Sequence, residues 1–380
     1  MALTREEFFE ASNLSDNPFR TNPVIEDDPR MGIWVGYEDQ QKTLLRFLSR
    51  SRADRGNTVT FIFVFGELGS GKTHALLWSK YHIMQEAKDD FDSVVYFIPS
   101  LLAEKGQASF LRAFQEHVIK KASIVSDLLA YKVFLNGCIN DYRKDTSAKF
   151  ETTDEELLKQ ILPAQDFRDL AKNILECKNA GDITKLLSIK SDFEAGNLFA
   201  KLTNLFIFEY KLLSGTRRFK KAVYLFIDEL DLLLDIKTNE AREMNYLLRH
   251  LYDACPSCFC MVCAFTATVA VLSAIFEEYV LQRADSQIVL GFLQPNEGKE
   301  FIKDVLDTAR VDSTQNNGYY PFAEDAIDTV VGQMVSITPR SIVKKMQPLI
   351  DLVIAAGIDP KKGAITTQML DDNHIWEDIG

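Results

Sequence analysis

The chain has 380 residues, 46% hydrophobic and 26% charged, so it can bury a large core in two or three domains and is not disordered. Its net charge of -12 excludes a molecule-wide electrostatic footprint for nucleic acid and leaves room only for a local basic patch. No apolar run reaches the length of a membrane span, and Met1-Ala2-Leu3-Thr4-Arg5-Glu6-Glu7 lacks a signal-peptide core, so a cytoplasmic protein is expected.

Residues 1–30 carry Pro18, Pro23 and Pro29 and little periodicity, which predicts an extended arm. Residues 38–50 follow an amphipathic helix pattern. Val59-Thr60-Phe61-Ile62-Phe63-Val64-Phe65 is apolar, β-branched and aromatic, as a strand buried on both faces requires. A glycine-rich loop follows at once, then a helix over 72–87, a strand over 93–98 and a helix over 107–121. The long stretch 125–215 has mixed charge, favours helix and shows no strong strand signal. Strands are predicted at 222–227, 258–265 and 287–290, with a helix near 238–254. From residue 295 the pattern is helical only, over 296–310, 322–335 and 339–356, before an acidic tail. Alternating strands and helices imply an α/β fold with a parallel sheet and right-handed crossovers.

The loop Gly66-Glu67-Leu68-Gly69-Ser70-Gly71-Lys72-Thr73 fits G-x-x-x-x-G-K-T. The pattern needs glycines because the backbone curls around phosphates and points its N–H groups inward. Lys72 would supply a charge to the β- and γ-phosphates, Thr73 a hydroxyl to Mg²⁺, and the following helix its positive end, with His74 next in line. ATP with Mg²⁺ is the expected ligand pair. Val223-Tyr224-Leu225-Phe226-Ile227 ends in Asp228-Glu229, a Mg²⁺-holding carboxylate followed by a candidate general base. The same residues read alone are an ordinary strand running into an acidic loop.

The six cysteines are Cys138, Cys177, Cys255, Cys258, Cys260 and Cys263. Cys255-Pro256-Ser257-Cys258 has metal-like spacing, but a structural zinc site needs four ligands and no second pair stands at motif spacing. The segment from Cys258 onward reads as a buried strand.

On these motifs and this element order the chain resembles the AAA+ ATPases over roughly residues 15–356. The resemblance implies a five-stranded parallel P-loop sheet flanked by helices, with a long helical insert at 125–215 and a small all-helical C-terminal lid. The corresponding ranges are an arm at 1–30, an ATPase core at 31–293, a lid at 294–358 and a tail at 359–380. It also implies three further positions. Sensor 1 falls on Thr268, with Thr266 second, although many relatives carry Asn there. The arginine finger, which reaches a neighbouring subunit's nucleotide, falls on Arg283. The lid sensor falls on Arg340, in Thr338-Pro339-Arg340. Asn17-Pro18-Phe19 and Trp34-Val35-Gly36-Tyr37 resemble the segment that cups adenine, with Tyr37 where arginine is usual. Phe19 and Trp34 could equally anchor the arm on the core.

The Pro-Arg lid and the Asn-Pro-Phe arm are most similar to the branch holding origin-recognition-type ATPases, ExeA-like ATPases and the transposition regulators TnsC and MuB. That similarity implies ATP hydrolysis driving homo-oligomer assembly, as a ring or filament, on DNA. The two dozen residues after the lid are too few for an added winged helix. Thr216-Arg217-Arg218-Phe219-Lys220-Lys221 and the cluster Arg46, Arg50, Arg52, Arg55 are the candidate DNA patches, and a solvated face is the plain alternative. The other functional reading is an ATPase that remodels or recruits a protein partner through 125–215 and ignores DNA.

Overall fold

The computed structural model describes residues 4–22, 24–26, 28–103, 106–121, 123–145, 153–268, 271–314 and 318–379. Met1–Leu3 and Pro23, named above, lie outside these, as do residues 146–152 of the insert.

The described strands are β1 (Val59–Gly66), β2 (Val94–Ile98), β3 (Leu102–Ala103), β4 (Gln107–Ala108), β5 (Glu209–Leu212), β6 (Gly215–Arg218), β7 (Val223–Ile227), β8 (Phe259–Thr266) and β9 (Ser286–Leu290). Five form the parallel sheet expected from sequence, in the order β2-β7-β8-β1-β9. The register pairs Val94 with Val223 and Val223 with Phe259. Every residue of β2 and β7 is buried, which is why their sequences are unbroken apolar runs rather than alternations. By packing, the chain divides into two units, residues 1–41, 66–78 and 289–380 in one, and 42–65 and 79–288 in the other.

The second of these units holds the main core, built on Phe61, Phe63, Phe65, Leu225 and Phe265. The insert joins that core. Helix Ser123–Asp145 buries Ile124, Leu128, Tyr131, Leu135 and Cys138 at helical spacing, and Asp192–Ile207 buries Phe199, Leu202 and Phe206. Three shorter helices lie between them, Asp154–Ile161, Gln165–Glu176 and Ala180–Leu186. The insert also ends in the hairpin β5–β6, a strand signal hidden because only Tyr210 and Leu212 of β5 face inward. The helix expected over 107–121 is broken. Gln107–Ala108 pairs as β4, Ser109 caps Phe110–Ala113, and Phe114–Ile119 is π-helical. The cysteine strand is displaced by one residue from its expected range. Cys258 has φ 51° and its Sγ contacts Asn57 Oδ1 at 2.8 Å, so the strand begins at Phe259.

In the other unit, residues 1–30 are not wholly extended. Thr4 caps a helix over Arg5–Ala11 that buries Phe8 and Phe9. The arm is bonded to the C-terminal helices. Arg310, with a side chain only 2% exposed, donates to the carbonyls of Ser12 (3.1 Å) and Tyr320 (2.7 Å). Asn13 and Asp312 exchange bonds of 2.9 Å. Helix Pro339–Ala355 contains Pro348, and at that turn Gln347 accepts from Asn17 Nδ2 (3.3 Å) and from the Thr21 N–H (3.1 Å). Residues 359–380, read from sequence as a tail, carry helices Thr367–Asp372 and Ile375–Ile379. Their Leu370 and Ile375, with Ile365, are buried in the core formed by Ile342, Met346, Leu349 and Phe8. Three widely spaced apolar residues are too few to give a readable period in sequence.

Candidate functional site

The phosphate loop leaves β1 at Gly66 and enters helix Lys72–Tyr81. A β-carbon on Gly66 would stand 1.9 Å from the Leu290 carbonyl oxygen, so only glycine allows that approach. Gly69 has φ +84°, and a β-carbon there would meet Cβ of Arg340 at 2.6 Å. The Arg340 N–H donates to the Gly69 carbonyl at 3.1 Å. Loop and lid helix are thus in direct backbone contact. The Lys72 ammonium lies in the curl of the loop, donating to the carbonyls of Glu67 (2.8 Å) and Gly66 (3.2 Å). Ser70 is 1% exposed, and its Oγ has no hydrogen-bond partner. A buried hydroxyl without a partner is costly. Leu68 and Thr73 are exposed.

Ser70 and Gly71 line a cavity of about 700 Å³ whose other walls come from the arm and the lid. That volume is in the range of small-molecule and cofactor sites. Val35, Trp34 and Tyr37 line it, whereas Phe19 is fully buried in the core and anchors the arm. Trp34 packs edge-on to Trp78 at 4.8 Å. The Tyr37 hydroxyl donates to the Gly291 carbonyl (2.6 Å), and burial pushes its phenol well up, so it is a neutral donor. His74 bonds the Ile33 carbonyl through Nε2 at 2.5 Å. Burial lowers its pKa, so the ring is neutral and Nε2–H is the donor. This bond straps the arm to the loop's helix.

The second candidate group follows β7. Asp228 is buried, and its N–H donates to the Ile98 carbonyl at 2.9 Å. Its Oδ1 accepts the Glu229 N–H at 2.9 Å. Glu229 has φ 55°, a left-handed conformation that costs a non-glycine residue roughly 1–3 kcal/mol and marks a position held by its surroundings. Burial first, then the charges of Asp228 and Asp231, raise its pKa above the ordinary glutamate range, against a lowering hydrogen bond from Ser100. Asp231 accepts the Thr266 N–H at 3.0 Å and so ties the end of β8 to the carboxylate turn. The structure therefore brings Thr266 beside this group through Asp231. Thr268 is exposed, and its carbonyl accepts from the Val271 N–H at 3.0 Å.

Arg283 is held within its own chain. Asp253 grips it bidentately, from Nε (2.8 Å) and from the terminal nitrogen (2.9 Å), and its other terminal nitrogen donates to the Tyr279 carbonyl at 2.6 Å. A role in trans requires exchanging that carboxylate for a phosphate. Hydrogen bonding from Arg283, with its charge and that of Arg249, holds the Asp253 carboxyl below the usual range. The pair's contribution is then present above the unfolded aspartate pKa, about 3.9, and is lost as pH falls through the lower folded value. Asp253→Asn is expected to cost under about 1 kcal/mol at pH 7, since the pair is partly exposed. In urea unfolding, the difference from the unmodified chain should shrink between pH 6 and pH 3.

The candidate DNA patch 216–221 is neutralised from within, and so is Arg52 of the other cluster. Arg217 pairs with Asp141 (2.5 Å), Arg218 with Glu209 (3.0 Å), Lys220 with Asp92 (2.9 Å) and Lys221 with Asp54 (3.1 Å). Arg52 is buried between Asp90 (2.5 Å) and Asp54 (2.8 Å). All six cysteines are free and buried, and burial raises the Cys255 thiol to about 12. Among the described residues, no group of three or more His, Cys, Asp or Glu could hold a metal. Sequence reasoning did not reach Phe301, Val305 and Lys344 in the cavity wall, nor Ser100 and Asp231 beside Glu229. Phe301, Val305, Lys344 and Ser100 fall in no motif and are placed by packing of distant segments, whereas Asp231 is brought beside Glu229 by the turn itself.

No single described helix is long and apolar enough to cross a membrane. Neither a family model nor a curated protein matches the chain. Solved structures do. The ORC1 protein of Aeropyrum pernix in complex with DNA matches with a TM-score of 0.50 and 10% identity, covering 91% of this chain and 66% of that one. The present chain thus spans about two thirds of its length. Drosophila ORC bound to DNA gives a TM-score of 0.49 and 14% identity, over 95% and 69% of the two chains. The Walker-type ATPase of Pyrococcus abyssi gives 0.47 and 13%, over 95% and 78%. At such identities the likeness is one of fold, and the first match carries it. With its strand order and its glycine loop at the end of β1, the chain has a P-loop fold similar to that of the Aeropyrum pernix ORC1 protein.

Proposed function

We propose that this chain binds ATP with Mg²⁺ at the loop Gly66–Thr73 and hydrolyses it, with the lid reading the nucleotide state through Arg340. The observation that carries the reading is the cavity itself, which Ser70 and Gly71 of the loop and His74 and Ala75 of the helix after it help to line. Hard oxygen donors suit Mg²⁺, which keeps several waters and takes few protein ligands; the Thr73 hydroxyl and, through water, Asp228 would hold it. When bound, the ion neutralises charge on the β- and γ-phosphates. Glu229, poised by its raised pKa, takes the proton from the water that attacks the γ-phosphorus as the β–γ bridge breaks. Lys72→Ala is expected to weaken ATP binding by about 100-fold or more, since a charge-assisted contact in a partly buried loop is lost. Calorimetric titration checks this, and unchanged affinity would overturn the reading.

The assembly reading, oligomers formed on DNA with Arg283 acting in trans, is supported by likeness to a protein solved with DNA. The four internal pairs in 217–221 favour the second reading, an ATPase that moves a protein partner without DNA. Turnover and particle size measured with and without duplex DNA separate them. Stimulation and growth on DNA support the first, and indifference supports the second.

A further inference from the structure

The cavity is lined by four cations, and two of them are already satisfied. Arg20 pairs with Asp16 at 3.1 Å and Arg30 with Asp28 at 2.6 Å. Arg340 and Lys344 also line it, and neither forms an ion pair with a described carboxylate. They stand four residues apart on Pro339–Ala355, so they share one helix face. Helical side chains lean toward the N-terminus, and the lysine stem is long enough to return over one turn of about 5.4 Å. Lys344 thus stands within side-chain reach of the turn of Arg340, whose N–H is bonded to Gly69. The unpartnered Ser70 hydroxyl lies in the same wall.

We propose that Lys344 is a second lid-borne cation for the polyphosphate of the bound nucleotide, acting with Arg340 on one helix face. Like-charged side chains one turn apart repel each other, and an anion between them relieves that repulsion. The lid helix thereby gains affinity for the loop when phosphate is present. The inference rests on the nucleotide reading above. Both side chains are exposed, so the contact is screened by salt.

The test titrates ATP, ADP and adenosine, at low and high salt, into the full chain and into Lys344→Met, Lys344→Arg and Lys72→Ala. Met keeps the stem and removes the charge. Lys344→Met should weaken ATP about five- to tenfold, with a shallower salt dependence. Adenosine should be unaffected, and Lys344→Arg should restore most of the loss. ATP affinity unchanged in Lys344→Met, or adenosine weakened by the same factor, overturns the proposal. If Lys72→Ala also leaves ATP binding unchanged, the nucleotide reading itself has failed. If Lys72→Ala loses ATP while Lys344→Met does not, only the role of Lys344 has failed.

Discussion

Glu229→Gln is expected to lower ATP turnover by about 10²–10⁴-fold while leaving ATP affinity within about threefold, because it removes a proton acceptor and no binding charge. Single-turnover hydrolysis and equilibrium binding read the two effects separately. The same substitution should not destabilise the fold. Burial and the neighbouring Asp228 and Asp231 raise the Glu229 pKa, so the folded chain holds this proton more tightly than the unfolded one. Stability from this group is therefore greatest at low pH and falls as pH rises from about 4.3 through the raised folded value. The ionised carboxylate sits in a place that disfavours its charge, and glutamine removes that charge. The melting temperature of Glu229→Gln at pH 7 should equal or exceed that of the unmodified chain, with the difference vanishing below about pH 4. A melt several degrees lower would show that Glu229 serves the fold instead.

Gly66→Ala should be the most damaging single methyl addition in the loop. The new carbon would sit 1.9 Å from a carbonyl oxygen of Leu290, far inside van der Waals contact, and backbone is the atom that must give way. A loss of about 3 kcal/mol in denaturant unfolding is expected. Gly71→Ala is the comparison. Its β-carbon would meet nothing within 4 Å, and only its φ of +98° is unfavourable. That change should cost about 1–2 kcal/mol. Equal losses at the two positions would contradict the placement of β9 against the loop's first glycine.

Two local patterns are legible in the sequence alone. Buried parallel strands must be continuous apolar runs, so β1, β2, β7 and β8 announced themselves, and the phosphate loop needs particular residue types at fixed spacing. Lid helices were legible because one wide apolar stripe repeats along each. Other features depended on partners that sequence does not reveal. The basic segment 216–221 looked available until Asp141, Glu209, Asp92 and Asp54 were found to hold its charges. Arg283 looked free until Asp253, thirty residues earlier in the chain, was found to grip it.

Sequence by itself determined the fold class and the phosphate loop, because each follows from residue type and short-range spacing. Only tertiary structure decided that the arm and the lid close the cavity with the loop, that Ile365, Leu370 and Ile375 belong to a core, and that Lys344 lines the cavity. Those facts depend on segments hundreds of residues apart meeting by burial of apolar surface, which leaves no local periodic mark.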